Sequence, residues 1–471
     1  MKIIFHGAAK EVGKSCIEII SNDKRYIMDA GIKFTHFGNE YPKYLDKIHQ
    51  LDGLFLSHAH LDHSGALPML ENKRLNCPIY LTDLTWKTTN MLLEDSYHLE
   101  KLKHMHPAYT QRDIKKVEED LRFVKYDKQY TTPDGNVKFT FLNSGHIPGG
   151  ASILLELEGK KLLYTADINT EDSFLMVPSD LEQIRDIDIL ITENTYGNRE
   201  HPDRDECTTG FLEAVNECIQ NNGTALIPVF GVGRSQEILI ILDQLDKKIP
   251  IYLDGMARKL TEEYIKSDDP YIKNKEILAR MYKHVHKIQK PSEREKVAKQ
   301  KGAVIVSTSG MIQGGPVVTY TEKVLADKNN YIIITGFQAA GTNGRSVLED
   351  HIFKKNGEKI RVQAQVRKFD FSAHYGQDKI RSLIDKIQPK NLILQHGDLE
   401  ALKESRAYAH ENLPNTNVFL PDIGDEMEFT DEKSTIKFFE QIKEKNFDKN
   451  IKDPLNEHTQ FVPNSGHNHG K

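Results

Sequence analysis

The spacing of apolar residues divides this 471-residue chain into segments of two kinds. From residue 1 to about Tyr196 the apolar runs are short. Each one stops at Gly, Asn, Asp or His, as in Tyr26-Ile27-Met28-Asp29, Leu54-Phe55-Leu56 and Leu162-Leu163-Tyr164-Thr165-Ala166-Asp167. Short apolar runs bounded by such residues predict strands, here at residues 3–5, 26–28, 54–56, 137–142, 162–166 and 187–193. Helical periodicity appears only over 84–102 and 111–121, with a shorter helix-like stretch at 65–70. Beyond Tyr196 the rhythm changes. A helix over 208–220 leads to a strand at 224–229. A glycine-punctuated turn, Phe230-Gly231-Val232-Gly233-Arg234, then opens a helix running to 245. Strands follow at 250–254, 303–307 and 331–335 with helices between them, the alternation of a parallel α/β unit. Near Arg361 the first rhythm returns, with strands expected at 366–372 and 391–394.

This order predicts one domain inserted into another. The first unit runs over 1–198, the insert over 199–365, and the first unit resumes over 366–435. Residues 436–471 lose periodicity and end in Asn464-Ser465-Gly466-His467-Asn468-His469-Gly470-Lys471, which reads as a flexible polar tail.

Bulk composition narrows the class. No run of 18 apolar residues exists, and Met1-Lys2-Ile3-Ile4-Phe5-His6-Gly7 turns polar too early for a secretory signal, so a cytoplasmic protein without a membrane span is expected. Cys16, Cys77, Cys207 and Cys218 show no CxxC spacing and are expected as reduced thiols. A net charge of −6, from 63 Lys+Arg against 69 Asp+Glu, excludes a wholly basic nucleic-acid coat but leaves room for a local cationic groove.

The candidate chemistry is concentrated in Ser57-His58-Ala59-His60-Leu61-Asp62-His63. Neutral imidazoles and carboxylates are the donors a borderline divalent cation such as zinc prefers. In an extended segment His58 and His60 point the same way, while Asp62 and His63 lie past the strand, where a turn can aim them at a second ion. Further chemistry-bearing residues close other expected strands: Asp29, His146 in Ser144-Gly145-His146-Ile147-Pro148-Gly149-Gly150, Asp167, Glu193, His374 and His396. Catalytic groups commonly gather on loops at one end of a sheet, and a set of seven such ends points to a single site.

With these motifs in order, residues 1 to about 430 resemble the metallo-β-lactamase-fold nucleases of the β-CASP family, which includes pre-mRNA 3′-end cleavage factors, ribonuclease J and compact prokaryotic relatives. Asp29, the His58–His63 motif, His146 and Asp167 match the four general motifs. Glu193, His374 and His396 match the three β-CASP motifs. The insert resembles the β-CASP domain through Ser309-Gly310-Met311-Ile312-Gln313-Gly314-Gly315-Pro316 and Gly336-Phe337-Gln338-Ala339-Ala340-Gly341-Thr342. The resemblance implies an αββα sandwich carrying a parallel α/β insert, and a metal-dependent ribonuclease, endonuclease or 5′-exonuclease, acting in RNA processing or decay through a hydroxide shared by two metals.

It also implies roles. His58, His60 and His146 would hold one Zn2+, and Asp62, His63 and His396 a second, with Asp167 bridging. Mn2+ or Fe2+ are alternatives to zinc. Asp29, Asp62, Glu193 and His374 form the implied catalytic set, with Asp29 orienting the histidine cluster, His374 as general acid and Glu193 as its partner. Arg234, Lys259, Ser309, Gly310, Gly336, Gln338, Gly341, Thr342 and Arg345 are the implied phosphate contacts. RNA is the implied substrate, a homodimer is compatible with the family, and no membrane partner is expected. Three other readings compete. A DNA nuclease is disfavoured because His396 is typically lacking in DNA-repair members. A non-catalytic scaffold is disfavoured because every ligand position is kept. A small-molecule hydrolase is disfavoured by the long insert.

Overall fold

The computed structural model describes residues 1–35, 38–102, 106–430 and 434–437. The expected tail beyond 437, with His467 and His469, lies outside them, although a strand at Ser434–Lys437 takes up its first two positions.

The first unit is two sheets packed face to face. One has eight strands, in the order Ser434–Lys437, Glu426–Phe429, Lys2–Phe5, Ile17–Ser21, Lys24–Met28, Gly53–Phe55, Ile79–Leu81, Leu121–Phe123. The other has seven, in the order Asn417–Phe419, Asn391–Gln395, Ile189–Glu193, Lys160–Tyr164, Ala151–Leu157, Lys138–Asn143, Gln129–Thr131. Strand alternation explains the layers. Ile189 and Ile191 face Phe5, Ile19, Phe55, Phe139 and Ile153 between the sheets, while Leu190 points outward onto Leu383, Ile384 and Leu402. The helices Gln377–Ile387 and Leu399–Asn412 cover that outer face. On the other side, Ile27, Leu54 and Leu56 meet Leu67, Leu70, Trp86 and Leu93. The result is the expected αββα sandwich.

The insert is a six-stranded, wholly parallel sheet in the order His286–Lys287, Ile251–Asp254, Ala303–Ser307, Thr224–Pro228, Tyr331–Ile334, Gln365–Lys368. Its last strand departs from the sequence expectation. Residues 366–372 read as a strand of the first unit, yet Gln365–Lys368 pairs in parallel with Tyr331–Ile334, Ile332 opposite Val366. Apolar pattern alone does not choose a partner sheet, because that choice depends on long-range register. His374 therefore sits on a loop rather than at the end of a strand. One face of this sheet shares a continuous apolar cluster with Ala59, Leu84, Ile147 and Phe371, which joins the insert to the sandwich.

Tight backbone locking holds the Asp62–His63 turn. The segment after Met28 runs beside residues 61–66. The Ala30 N–H donates to the His63 carbonyl at 2.7 Å, Ile32 N–H to Leu61 at 2.8 Å, and Ala66 N–H back to Ala30 at 2.7 Å. Ser15 N–H donates to the Asp62 carbonyl at 2.8 Å. Gly31 permits this approach, since a Cβ there would lie 1.6 Å from the Asp62 carbonyl oxygen. Gly31→Ala is expected to cost roughly 1–3 kcal/mol through overpacking, read as a lower denaturant midpoint with an unchanged slope.

Candidate metal centre

Six strands of the sandwich have their C-terminal ends at one rim: Lys24–Met28, Gly53–Phe55, Lys138–Asn143, Lys160–Tyr164, Ile189–Glu193 and Asn391–Gln395. The loops leaving them carry Asp29, His58, His146, Asp167 and His396, while Glu193 is the last residue of its own strand. Glu193 stands opposite Gln395 in register, so His396 arrives beside it although the two are far apart in sequence. The structure brings all seven expected strand-end residues to this rim. His58 and His60 do so from a loop rather than a strand, and Asp62 and His63 from the helical turn Leu61–Ser64.

Two donor sets meet on Asp167. His58, His60 and His146 form one with it, and Asp62, His63 and His396 the other. The carboxylate divides between them. Oδ2 lies 3.5 Å from His58 Nε2 and 3.6 Å from His146 Nε2, while Oδ1 lies 3.2 Å from His63 Nε2 and 3.4 Å from His396 Nδ1. His396 Nε2 lies 3.4 Å from Asp62 Oδ2.

Neighbours orient the rings. The Asp29 carboxylate accepts four hydrogen bonds: from Ser57 N–H at 2.7 Å, Ser57 Oγ–H at 2.8 Å, His63 Nδ1–H at 2.7 Å and Tyr164 O–H at 2.7 Å. With its proton given to Asp29, Ser57 Oγ accepts His58 Nδ1–H at 3.0 Å. His146 Nδ1–H donates to the Ala373 carbonyl at 2.7 Å. Each bond fixes a tautomer and turns a bare Nε2 inward, as imidazole ligands require. Most of those inward atoms lack partners. His58 Nε2, His63 Nε2, His396 Nε2 and Asp167 Oδ1 are buried without a hydrogen bond, and His146 Nε2 faces His60 Nδ1 at 3.1 Å. Buried acceptors converging in this way need a cation between them, so the donor set fits divalent metal.

The electrostatics agree for His58 and His146 and run the other way for His63 while no cation is bound. Burial holds the His58 and His146 imidazoles well below their ordinary range, aided by neighbouring imidazoles, which keeps both available as neutral ligands. Burial also opposes charge on His63, but Asp167 and Asp29 outweigh it and raise that group. Burial would raise the Asp167 carboxyl, but His63, His396 and His374 hold it well below the carboxylate range.

His374 lies just outside the donor sets. Its ring is 4.6 Å from that of His146, centre to centre, and it is partly open to solvent. Nδ1 contacts Glu193 Oε1 at 2.8 Å and Oε2 at 3.0 Å. Glu193 is fully buried and also accepts from Ile168 N–H at 2.9 Å and Thr195 Oγ–H at 2.5 Å.

The implied phosphate contacts scatter more. Ser309, Gly310, Gly336 and Gln338 cluster beyond the C-terminal ends of Ala303–Ser307 and Tyr331–Ile334, where Gln338 Nε2 donates to the carbonyls of Gly310 and Gly336. Gly341 precedes Thr342, which caps the helix Asn343–Asp350. Arg345 is exposed and paired with Glu349, and Lys259 is exposed on the helix Ala257–Lys266. Arg234 is buried and ion-paired with Glu237, so its guanidinium is committed within the protein.

Several supporting residues escaped the sequence reading. Ser57, Tyr164 and Thr195 act through hydrogen bonds between strands, which carry no local signal. Arg204 donates to Glu237 at 2.9 Å and to the Ser372 carbonyl at 2.7 Å, tying the insert to the loop that bears His374. The Arg199 guanidinium lies 4.1 Å over the Tyr196 ring and 3.7 Å from Asp370.

In metal-free protein, burial lowers the His374 imidazolium, but Glu193 and Asp167 override it and lift it to about 9. The group should therefore stay protonated through neutral pH and lose its proton only as pH rises past that value. An NMR titration of chelator-treated protein is expected to show this, and Glu193→Gln should shift the His374 midpoint downward. An unchanged midpoint would mean Glu193 does not set this charge.

Comparison with known proteins places this geometry. Residues 19–190 match the metallo-beta-lactamase superfamily domain, 235–347 the Beta-Casp domain, and 359–421 the Zn-dependent metallo-hydrolase RNA specificity domain. Among curated relatives, "Probable RNase MJ4" of Methanocaldococcus jannaschii is 36% identical over 433 residues, covering 91% of this chain and all of that protein. "RNase J-like protein" of the same organism is 37% identical, covering 84% of this chain and 92% of its own length. The Drosophila melanogaster "Cleavage and polyadenylation specificity factor 73" is 29% identical over 83% of this chain and 59% of that protein. A solved structure from Enterococcus faecalis, titled as a protein of unknown function, shares the fold at a TM-score of 0.56 and 14% identity, covering 90% of this chain and 99% of that one. With a metallo-β-lactamase sandwich, an inserted β-CASP domain and full-length relatives above the thirty-per-cent level, the chain belongs to the β-CASP family of metallo-β-lactamase-fold proteins.

Proposed function

We propose that this protein is a divalent-metal-dependent ribonuclease that hydrolyses RNA phosphodiester bonds, acting in RNA processing or decay. The observation that carries the reading is Asp167, whose two oxygens face two separate histidine sets while His374 stands beside them. The relatives named as RNases support RNA over DNA as substrate. We assign His58, His60 and His146 to one ion, Asp62, His63 and His396 to a second, and Asp167 to both, with zinc as the metal best suited to this donor set.

Bound ions would supply an activated water and offset charge on the phosphodiester. The chain supplies the rest. Asp29 holds the His63 and Ser57–His58 orientations, so the donors are arranged before substrate arrives. His374, protonated and braced by Glu193, is placed to give its Nε2 proton to the departing ribose oxygen. Thr195, held by Glu193 and 3.2 Å from the His396 carbonyl, ties the acid's partner to the second donor set. The loops of Ser309–Gly310 and Gly336–Thr342 offer backbone amides to phosphates beyond the scissile bond. This reading divides the chain as the sequence suggests, with the end of the insert moved to Lys368, because the strand Gln365–Lys368 belongs to the inserted sheet.

Cleavage of labelled RNA, but not of DNA of the same sequence, is expected, with full loss on chelation. His374→Ala should keep its metal content by elemental analysis and lose about 10²–10⁴-fold in turnover. Asp167→Ala should lose metal from both sets. Metal-replete protein inactive on RNA would overturn the ribonuclease reading. A His374→Ala variant with wild-type turnover would overturn only the assignment of the acid.

A further inference from the structure

We propose a second RNA-binding surface on the insert, a cationic groove on the side of its sheet turned away from the metal centre, which holds the phosphate backbone of substrate extending beyond the cleft. The proposal rests on the ribonuclease reading for the identity of its ligand.

The groove has a volume of about 760 Å³ and is lined by His351, Lys359, Arg361, Gln363 and Arg367, with Asp350 as its one acid. It lies between the hairpin Ile352–Lys355/Glu358–Arg361 and the strand Gln365–Lys368, at the edge of the six-stranded sheet. The hairpin packs through Phe353 and Ile360 against Ile305, Val317, Tyr320 and Ile332. That face is opposite the one that joins the sandwich through Ala59, Ile147 and Phe371. The groove is thus separate from the donor sets.

The register of this hairpin is the telling feature. Lys354 stands directly opposite Lys359, and Arg361, opposite Ile352, lies two residues along on the same face. Like charges directly across a ladder destabilise it, and three cations sharing one face of a short hairpin repel one another. Nearby acids do not relieve them. Glu349 is paired with Arg345 and Glu322 with Lys355, while Asp350, which accepts from Ser346 Oγ–H, and Glu358, on the other face of the hairpin, make no ion pair with these cations. Among the described residues, no carboxylate lies within ion-pair distance of Lys354, Lys359, Arg361 or Arg367. Arg367 borders the groove but turns its guanidinium over the Tyr331 ring at 5.4 Å, on the sheet face that joins the sandwich, with its Nη1 3.3 Å from the Gln365 Oε1 and the Val366 carbonyl. A chain with net charge −6 that gathers three cations without ion-pair partners on one hairpin face, Lys359 and Arg361 among them lining the groove, presents a local site for a polyanion. The helix Asn343–Asp350, capped by Thr342, joins the Gly336–Thr342 loop to this hairpin.

The test is equilibrium binding of uncleaved single-stranded RNA to chelator-treated protein, with Lys359→Glu/Arg361→Glu and the milder Lys359→Gln/Arg361→Gln as variants. For a long RNA both variants should bind more weakly, the reversal by about tenfold or more. The dependence of log K on log salt should flatten by about 1.4, from two lost phosphate contacts on a single strand. A short oligonucleotide that fills only the cleft should bind as in the wild type, and the metal-loaded variants should cleave it as the metal-loaded wild type does. Wild-type affinity and salt slope for long RNA in both variants would overturn the proposal. So would a change confined to self-association in sedimentation, which would make the groove a protein interface. Because binding is read without metal or turnover, a wild type that binds long RNA through the groove but never cleaves it would leave this surface standing and sink only the ribonuclease reading.

Discussion

A single buried carboxylate organises the centre of this molecule. Asp167 is 2% exposed, and an isolated charge at that depth would be strongly unfavourable. It is tolerated because imidazoles surround it, two facing one oxygen and two the other. Those rings come from three different stretches of chain, so satisfying Asp167 requires the strand ends of the second sheet and the His58–His63 loop of the first to meet at one rim. The packing of the sandwich core, Phe55 and Phe139 at 5.0 Å between ring centres, is the apolar counterpart that brings the two sheets to that distance.

Asp29 plays the complementary part from beneath. Four donors converge on its carboxylate, which satisfies its charge and leaves none of them free to rotate. Rigidity here is transmitted outward through Ser57 to His58 and through His63 to the Asp62 turn, whose backbone is clasped by residues 30–32. Geometry near the candidate metals thus follows from hydrogen bonds within the first unit, while His374 comes from the loop that follows the last strand of the insert. Arg204, Glu237 and Ser372 stitch the two together.

Much of this was legible in the amino-acid order, for an identifiable reason. His58, His60, Asp62 and His63 are close in sequence, and Asp29, Asp167, Glu193 and His396 each follow or end an apolar run, so local pattern alone marks them. What stayed hidden depends on pairing between distant segments. The strand Gln365–Lys368 looks like any short apolar run until its register with Tyr331–Ile334 is known. Ser57, Tyr164 and Thr195 are ordinary residues whose importance comes from what lies across from them. Arg234 illustrates a missed local cue, since its acid partner Glu237 sits one helical turn ahead, a spacing at which side chains meet.

The pairing of Ile189–Glu193 with Asn391–Gln395 carries a consequence for how the protein comes into being. A nascent chain that has emerged as far as Asp167 already contains His58, His60 and His146, whereas His396 lies 201 residues beyond Thr195, its hydrogen-bonding neighbour in the finished fold. The whole insert must be made, and be compact enough to let its two ends approach, before the second donor set can close. Ribosome-bound intermediates therefore hold an incomplete centre amid nucleic acid, and completion of the site waits for one of the last strand pairings of the described chain.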